Sequence, residues 1–284
     1  NIIMDKEINK QGENNPLVTQ NSKPNFRPYL HPIAAPDGKG ILTEVSPNHH
    51  KHQTGLYWGF TRVNGGSISQ DSVHKWFYRP DKPKAIKDSL GRDFFHNPGK
   101  GYWKRVSAEI LEAGGQEVSW QTVYDMLDKT GNSILRETQT WTMKEEDGKF
   151  LLDLEWQGNA LTDINIGEFD YGGLFLRMPW KEGITGQVIN AARQRNDKAE
   201  GQHAYWIDAA IQLDGREDLA HIAIFDHTQN SGFPQIWRVD NQMGIGSAKS
   251  RMGDWQIKKG EVEIIKHQIV VHTGELNNIE ITDL

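Results

Sequence analysis

Residues 116–158 read QEVSWQTVYDMLDKTGNSILRETQTWTMKEEDGKFLLDLEWQG, and this stretch decides the fold. Val118, Trp120, Tyr124 and Met126 keep a spacing of two. Asp128-Lys129-Thr130-Gly131-Asn132 reads as a turn. Ile134 to Met143 is rich in Thr and carries Trp141. Glu146-Asp147-Gly148-Lys149 turns the chain again, and Phe150, Leu152, Leu154 and Trp156 alternate. Strand, Gly turn, strand, Asp-Gly turn, strand is an antiparallel meander. Each strand has one apolar and one polar face, so one face of the sheet packs on something.

Outward from the meander, further strands are expected at Leu56 to Val63, Trp103 to Glu112, Gly172 to Met178, Ala204 to Leu213, Ala220 to Phe225 and Glu261 to His272. Helical periodicity is nearly absent, with one short helix expected within Ile184 to Arg195. Many strands separated by turn signals predict an all-β, antiparallel β-sandwich. Asn1 to Asn25 is polar and without sustained period. It is expected as an extended N-terminal arm (residues 1–26), with room for one edge strand, ahead of a single domain (27–284). Two stretches are long for loops, Gly65 to Gly101 and Pro179 to Gln202; loops of that length are usually functional.

Bulk composition narrows the function. Lys plus Arg is 32 and Asp plus Glu is 38, a net charge of −6, so no positive field exists to displace counterions from nucleic acid. No apolar run approaches the ~20 residues of a membrane helix, so no membrane span is expected. With no cysteine, disulfides, thiolate nucleophiles and cysteine metal sites are excluded. The chain starts at Asn1 rather than Met, which is expected for a processed or trimmed form whose export signal has been removed. Ten Trp and 28 Gly suit a sheet protein with aromatic-lined ligand surfaces, some of the Trp serving only as core.

The densest polar cluster is Asn48-His49-His50-Lys51-His52. Alternate residues of an extended chain share a face, so His50 and His52 point the same way. Such a pair suits a metal, or one imidazole acts as base while the other orients a substrate. A solvated His-rich loop is the competing account, and H-x-H alone lacks the third ligand that a metal needs. Asp226-His227-Thr228-Gln229-Asn230 follows a buried run, and His203 stands at the exit of the second long stretch; for both, a surface role competes with catalysis. Arg27, Arg177 and Arg238 offer guanidinium forks for a carboxylate, with surface ion pairs as the alternative. Trp58, Trp76 and Trp237 are candidate platforms for sugar rings. His74 and Tyr78 lie in the first long stretch, beside Arg79, Arg92 and His96. No G-x-S-x-G elbow, P-loop, H-E-x-x-H or dinucleotide fingerprint is present.

At Arg27-Pro28-Tyr29-Leu30-His31-Pro32 the chain resembles a bacterial family labelled PmoA-like. That family's R-P-Y-L-H-P segment leads to P-x-G and a Thr, matched by Pro36-Asp37-Gly38 and Thr43. Its H-P-H-H-R-G-L-W motif corresponds to His50-Lys51-His52-Gln53-Thr54-Gly55-Leu56-Tyr57, with Gln53 in place of a His and Thr54 in place of the Arg. V-N-G is matched by Val63-Asn64-Gly65, without the D-F-W expected after it. Asp226 to Asn230, Pro234-Gln235-Ile236-Trp237 and Val270-Val271-His272-Thr273-Gly274 echo later segments, so the resemblance runs from about Arg27 to Gly274. It implies a galactose-mutarotase-like β-sandwich, a setting of polysaccharide breakdown and a periplasmic location.

Together these readings predict an enzyme acting on oligosaccharides, by β-elimination at a uronic acid (dehydratase or lyase). His50 and His52 are the first choices for catalysis, followed by His203, His227 and Tyr78. Arg27, Trp58, Asn64, His74, Trp76, Arg177, Trp237 and Arg238 are the substrate-binding candidates. No organic cofactor is needed, and a divalent metal at the His cluster remains open. A non-catalytic carbohydrate-binding protein and a glycoside hydrolase with paired carboxylates are the alternatives.

Overall fold

A computed structural model describes residues 2–4, 17–115 and 117–274. Two antiparallel sheets pack face to face. The larger has eight strands, in the order Gly186–Asn190, Trp206–Gln212, Leu219–Asp226, Val262–Thr273, Lys149–Ala160, Ser133–Glu146, Glu117–Leu127 and Trp103–Gly114. The smaller has seven, in the order Ile2–Met4, Val18–Asn21, Tyr29–Ile33, Leu56–Gly59, Gly173–Arg177, Gly244–Ser247 and Trp237–Val239. Its first pair is parallel. Ile164–Ile166 and Trp255–Ile257 form a separate ribbon.

The meander supplies three consecutive strands of the larger sheet, Lys149–Ala160, Ser133–Glu146 and Glu117–Leu127. Trp120 pairs with Trp141 across neighbouring strands, their rings stacked at 6.0 Å. Trp120, Tyr124, Met126, Phe150, Leu152, Leu154 and Trp156 are buried, on the one face that the alternation assigns to the core. Trp58 of the smaller sheet stacks on Trp156 of the larger, at 4.8 Å and 14°. This contact spans the layer between the sheets, where the main apolar core lies. Aromatic pairs in such offset stacks add to their area burial.

Two local expectations are corrected. Ile184 to Arg195 holds no helix: Gly186–Asn190 is a strand, paired with Trp206–Gln212. β-branched Val188 and Ile189 favour the sheet. Asn190 Oδ1 then accepts from the backbone N–H of Ala192 and of Gln194, both at 3.0 Å, which closes a tight turn. Gly65 to Gly101 is not a bare loop, because it contains the helices Gln70–Phe77 and Lys84–Ser89. Ser69 caps the first, its Oγ accepting from Ser72 N at 3.3 Å. Val73 and Trp76 form the buried side of that helix, one turn apart. Of the stretch expected as an arm, Ile2–Met4 and Val18–Asn21 are strands of the smaller sheet, and Val18 is buried in the main core.

Candidate active site

Strand alternation builds the floor of the site. Leu56, Trp58, Leu174 and Leu176 point into the main core. Tyr57 and Phe175 therefore face outward, where they cluster with Tyr29 and Phe95. Over this aromatic floor opens a cavity of 260 Å³. His50, His52 and Gln53 reach it from the segment before Leu56–Gly59. His74, Phe77 and Tyr78 come from the capped helix and its end. Phe95 and His96 come from the following loop, and Asp170 and Tyr171 from the approach to Gly173–Arg177. Arg238 and Asp240 complete the wall. Gly172 and Gly173 deliver Tyr171 by a backbone turn at φ of 145° and 135°. A Cβ at Gly173 would lie 2.6 Å from the Ser247 carbonyl oxygen, so only glycine fits there.

A three-residue relay enters this cavity. Asp93 Oδ2 lies 2.7 Å from His96 Nδ1, and His96 Nε2 lies 2.9 Å from the Tyr171 hydroxyl. With the Asp93 carboxylate accepting from Nδ1–H, Nε2 is the acceptor for the Tyr171 O–H. Asp93 is itself anchored, since its Oδ1 accepts from the backbone N–H of Phe95 at 3.1 Å and of His96 at 2.9 Å. Burial, then the Asp93 charge, raises the Tyr171 hydroxyl well above the ordinary tyrosine range. The His52 ring lies 4.5 Å from that of His96 and 5.9 Å from that of His50. Burial, then the proximity of His96 and Arg27, pushes His52 down to about 2. Burial and Arg177 lower His50 as well. Both imidazoles are therefore neutral acceptors and donors near pH 7.

Beneath the cavity two arginines hold its parts together. Arg27 is fully buried and lies 3.5 Å above the Tyr57 ring. It donates to Thr54 Oγ1 at 3.1 Å, to the Phe95 carbonyl at 2.7 Å and to the His52 carbonyl. It thus ties the His52 segment to the His96 segment. Arg177, also fully buried, pairs with Asp240 at 2.8 Å and donates to Gln53 Oε1 and the Gln242 carbonyl. Gln53 and Thr54, which stand where the resembling motif has His and Arg, are the partners of these two arginines. Burial lowers Arg27 to about 10, which leaves it charged at neutral pH.

At the remaining edge, Arg238 and Arg251 both reach the same Glu200 oxygen, at 2.7 and 2.5 Å. Two guanidinium groups thus share one carboxylate. Beyond Asp240 a second cavity of 420 Å³ includes Trp180, Asn196 and Glu200. On the other side, a cavity of 400 Å³ shares Phe77, His96 and Phe169 with the first and carries Lys82, Lys87 and Arg92.

The cavity therefore brings together His50, His52, His74, Tyr78 and Arg238 of the residues singled out in the sequence. His74 Nε2 pairs with Asp170 at 2.7 Å, and Tyr78 is 85% exposed at the rim. Others lie elsewhere. Trp58 and Trp237 are buried core, Trp237 donating its Nε1–H to the Ala204 carbonyl at 2.8 Å. Buried Trp76 lines the adjoining cavity and donates to the Pro83 carbonyl. Asn64 accepts from Asn165 N at 2.8 Å. His203 sits exposed against the Pro234 carbonyl, and His227 accepts from Gln229 N in its own turn. Asp93, Asp170, Tyr171 and Asp240 were not singled out by sequence reasoning. An available signal was Asp170-Tyr171-Gly172-Gly173, a polar pair before two glycines and a buried strand.

Among the described residues, His, Asp and Glu donors converge in threes within 4.8 Å at Asp208, His221 and His272, rather than at the His49–His52 segment. No helix of the described residues is long and apolar enough to cross a membrane.

Comparison with curated proteins finds no match. Solved structures give distant likenesses. A GH36 α-galactosidase, AgaA, from Geobacillus stearothermophilus matches over 91% of this chain and 41% of its own, at 10% identity and a TM-score of 0.35. A galactose mutarotase related enzyme from Lactobacillus acidophilus matches over 63% and 73%, at 8% identity and a TM-score of 0.31. An α-galactosidase from Lactobacillus brevis matches over 64% and 30%, at 11% identity and a TM-score of 0.29. The chain spans only 28% of the galactosidase domain of an α-galactosidase-sucrose kinase. The PmoA-like label stays a resemblance. Residues 14–284 match the family of unknown function DUF6807, nearly the whole chain, and the protein belongs to that family.

Proposed function

We propose that the protein is an enzyme that acts on oligosaccharides by β-elimination at a uronic acid residue. The observation that carries this reading is the Asp93–His96–Tyr171 relay opening into a cavity with two neutral imidazoles. β-Elimination needs a neutralised carboxylate, a base at C5 and an acid at the C4 oxygen. Arg238 neutralises the substrate carboxylate, with Arg251 holding the shared Glu200 partner. Tyr171 oxygen takes the C5 proton as its own proton passes to His96 Nε2. The C5–H electron pair becomes the C4–C5 double bond, and the C4–O bond breaks. The proton returns through Tyr171 to the departing oxygen, so the relay ends as it began. Water leaves if C4 carries a hydroxyl, and a sugar leaves if C4 carries a glycosidic bond. His50 and His52 hydrogen-bond the ring hydroxyls and the carboxylate without adding charge.

The rival readings fit the residues less well. Asp170 and Asp240 are the carboxylates of the cavity, and both are already paired, with His74 and Arg177. A hydrolase needs one carboxyl as acid and a second as base or nucleophile. A binding module needs exposed ring platforms; the tryptophans considered for that role, Trp58, Trp76 and Trp237, are buried, and Tyr78 is the exposed ring at the cavity rim.

Incubation with uronate-containing oligosaccharides tests the proposal. A product absorbing in the near ultraviolet, with loss of water or chain cleavage by mass spectrometry, is expected. New reducing ends without that absorbance would replace elimination with hydrolysis. Binding with neither change would leave a carbohydrate-binding protein.

A further inference from the structure

The outer face of the larger sheet carries a second polar cluster, across the sandwich from the cavity. Ile207 and Ala209 flank Asp208, Ala220 and Ile222 flank His221, and Val271 precedes His272. All five of these neighbours point into the core between the sheets. Alternation therefore turns Asp208, His221 and His272 outward. The pairing register gathers them: His221 stands opposite His272, and Ala210, two residues beyond Asp208, stands opposite His221. Asp208 Oδ2 lies 2.7 Å from His221 Nδ1, and Oδ1 lies 3.0 Å from His272 Nε2. The two rings face each other at 4.4 Å. All three side chains are buried, and the His221 side chain, at 9%, is the most exposed of them. Trp206, Ala223, Phe225 and Val270 form an apolar cluster on the same face.

We propose that Asp208, His221 and His272 bind a divalent first-row transition ion, with zinc the best match. Two imidazole nitrogens and one carboxylate oxygen are the donors such an ion takes, whereas magnesium and calcium want oxygen alone. The three ligand atoms lie within 4.8 Å of one another, close enough for small side-chain shifts to bring them to bonds of about 2.0–2.2 Å around a common centre. On binding, His221 Nδ1 and His272 Nε2 exchange their bonds to Asp208 for bonds to the metal, and each ring carries its proton on the other nitrogen. The fourth position opens on the His221 side. Each ligand comes from a different adjacent strand, so the ion cross-links three strands and takes no part in the cavity chemistry.

The test uses the full chain, stripped with a chelator and titrated with zinc against a chromophoric competitor. Binding of one zinc per chain, with a raised melting temperature, is expected. It should persist in a His50→Ala/His52→Ala variant, which separates this site from the cavity histidines. Asp208→Asn and His272→Ala should each weaken zinc at least ~100-fold, since loss of even an outer-shell partner costs 10–100-fold. Should those variants unfold, X-ray absorption of the zinc-loaded His50→Ala/His52→Ala protein decides, with a nitrogen and oxygen shell containing two imidazoles expected. Absence of zinc binding by the folded chain, loss of zinc in the His50→Ala/His52→Ala variant, unchanged affinity in folded Asp208→Asn, or a shell without two imidazoles would each overturn the proposal. In that event the three residues form only a hydrogen-bonded triad.

Discussion

His96 Nε2 lies 2.9 Å from the hydroxyl of Tyr171, a residue 75 positions away, and the same imidazole holds Asp93 on its other nitrogen. Tyr171→Phe keeps the ring on the aromatic floor but removes the transferable proton. Turnover of a uronate oligosaccharide is expected to fall ~100-fold or more, within the 10²–10⁴ range for a lost acid–base group, with little change in melting temperature. Asp93→Asn should lower turnover as well, because an amide no longer favours the tautomer with the Nδ1 proton. Full activity in Tyr171→Phe would remove the relay from the mechanism.

Removal of the histidines beside the relay has a pH signature. His52 is held at about 2 when folded and titrates near 6.5 when unfolded. Below 6.5 the unfolded chain therefore binds a proton that the folded chain does not, so stability falls as pH drops through 6.5. At pH 5 this one residue costs about 2 kcal/mol. His52→Gln is expected to recover much of that difference between pH 5 and pH 8, measured by chemical denaturation. It should also reduce turnover at least ~10-fold, at the same pH optimum, because a group neutral throughout the range sets neither limb of the profile.

Three arginines were candidates for the substrate carboxylate, and burial separates them. Arg27 and Arg177 are fully buried, and their donors go to protein acceptors. Arg238 lines the cavity. Arg238→Gln should raise KM at least ~10-fold for a uronate substrate, with Arg238→Lys a partial rescue, since an ammonium cannot present the planar fork. Arg27→Met should instead lower stability by about 3 kcal/mol, the scale of breaking a buried charged network. A substrate analogue with its carboxylate reduced to an alcohol should bind poorly and not react. Equal processing of that analogue would exclude elimination.

A further titration sits inside the core. Glu137 is buried between the sheets, accepting from Trp156 Nε1 at 2.8 Å and Gln139 Nε2 at 2.9 Å. Burial outweighs these hydrogen bonds and raises its carboxyl to about 7. From 4.5 to 7 the unfolded chain loses this proton while the folded chain keeps it, so stability falls as pH rises across that window. The loss levels off above pH 7, at on the order of 3 kcal/mol. Glu137→Gln should abolish that slope in denaturation curves taken between pH 4.5 and 8. An unchanged slope would show that the carboxyl ionises without penalty.

What the sequence determined by itself is local and periodic. Val118 to Trp156 alternates because every second side chain of a strand meets the core, so the meander and the all-β class were legible directly. Helix Gln70–Phe77 was not read from the sequence: its signals, Ser69 and the Val73–Trp76 spacing, lie within a stretch whose polar residues read as loop. The neighbouring histidines His50 and His52 share the cavity because they are close in the chain. The tertiary structure alone decided the rest. Asp93, His96 and Tyr171 converge because one loop and the approach to another strand cross over the same aromatic floor, a relation without a sequence period. Burial likewise depends on the opposite sheet: Trp58 is a core ring because Trp156 lies against it, and Arg27 is a buried clamp because Thr54, His52 and Phe95 surround it. Residue type names the chemistry a side chain can do; which atoms it meets, and whether water reaches it, is settled by segments far away in the chain.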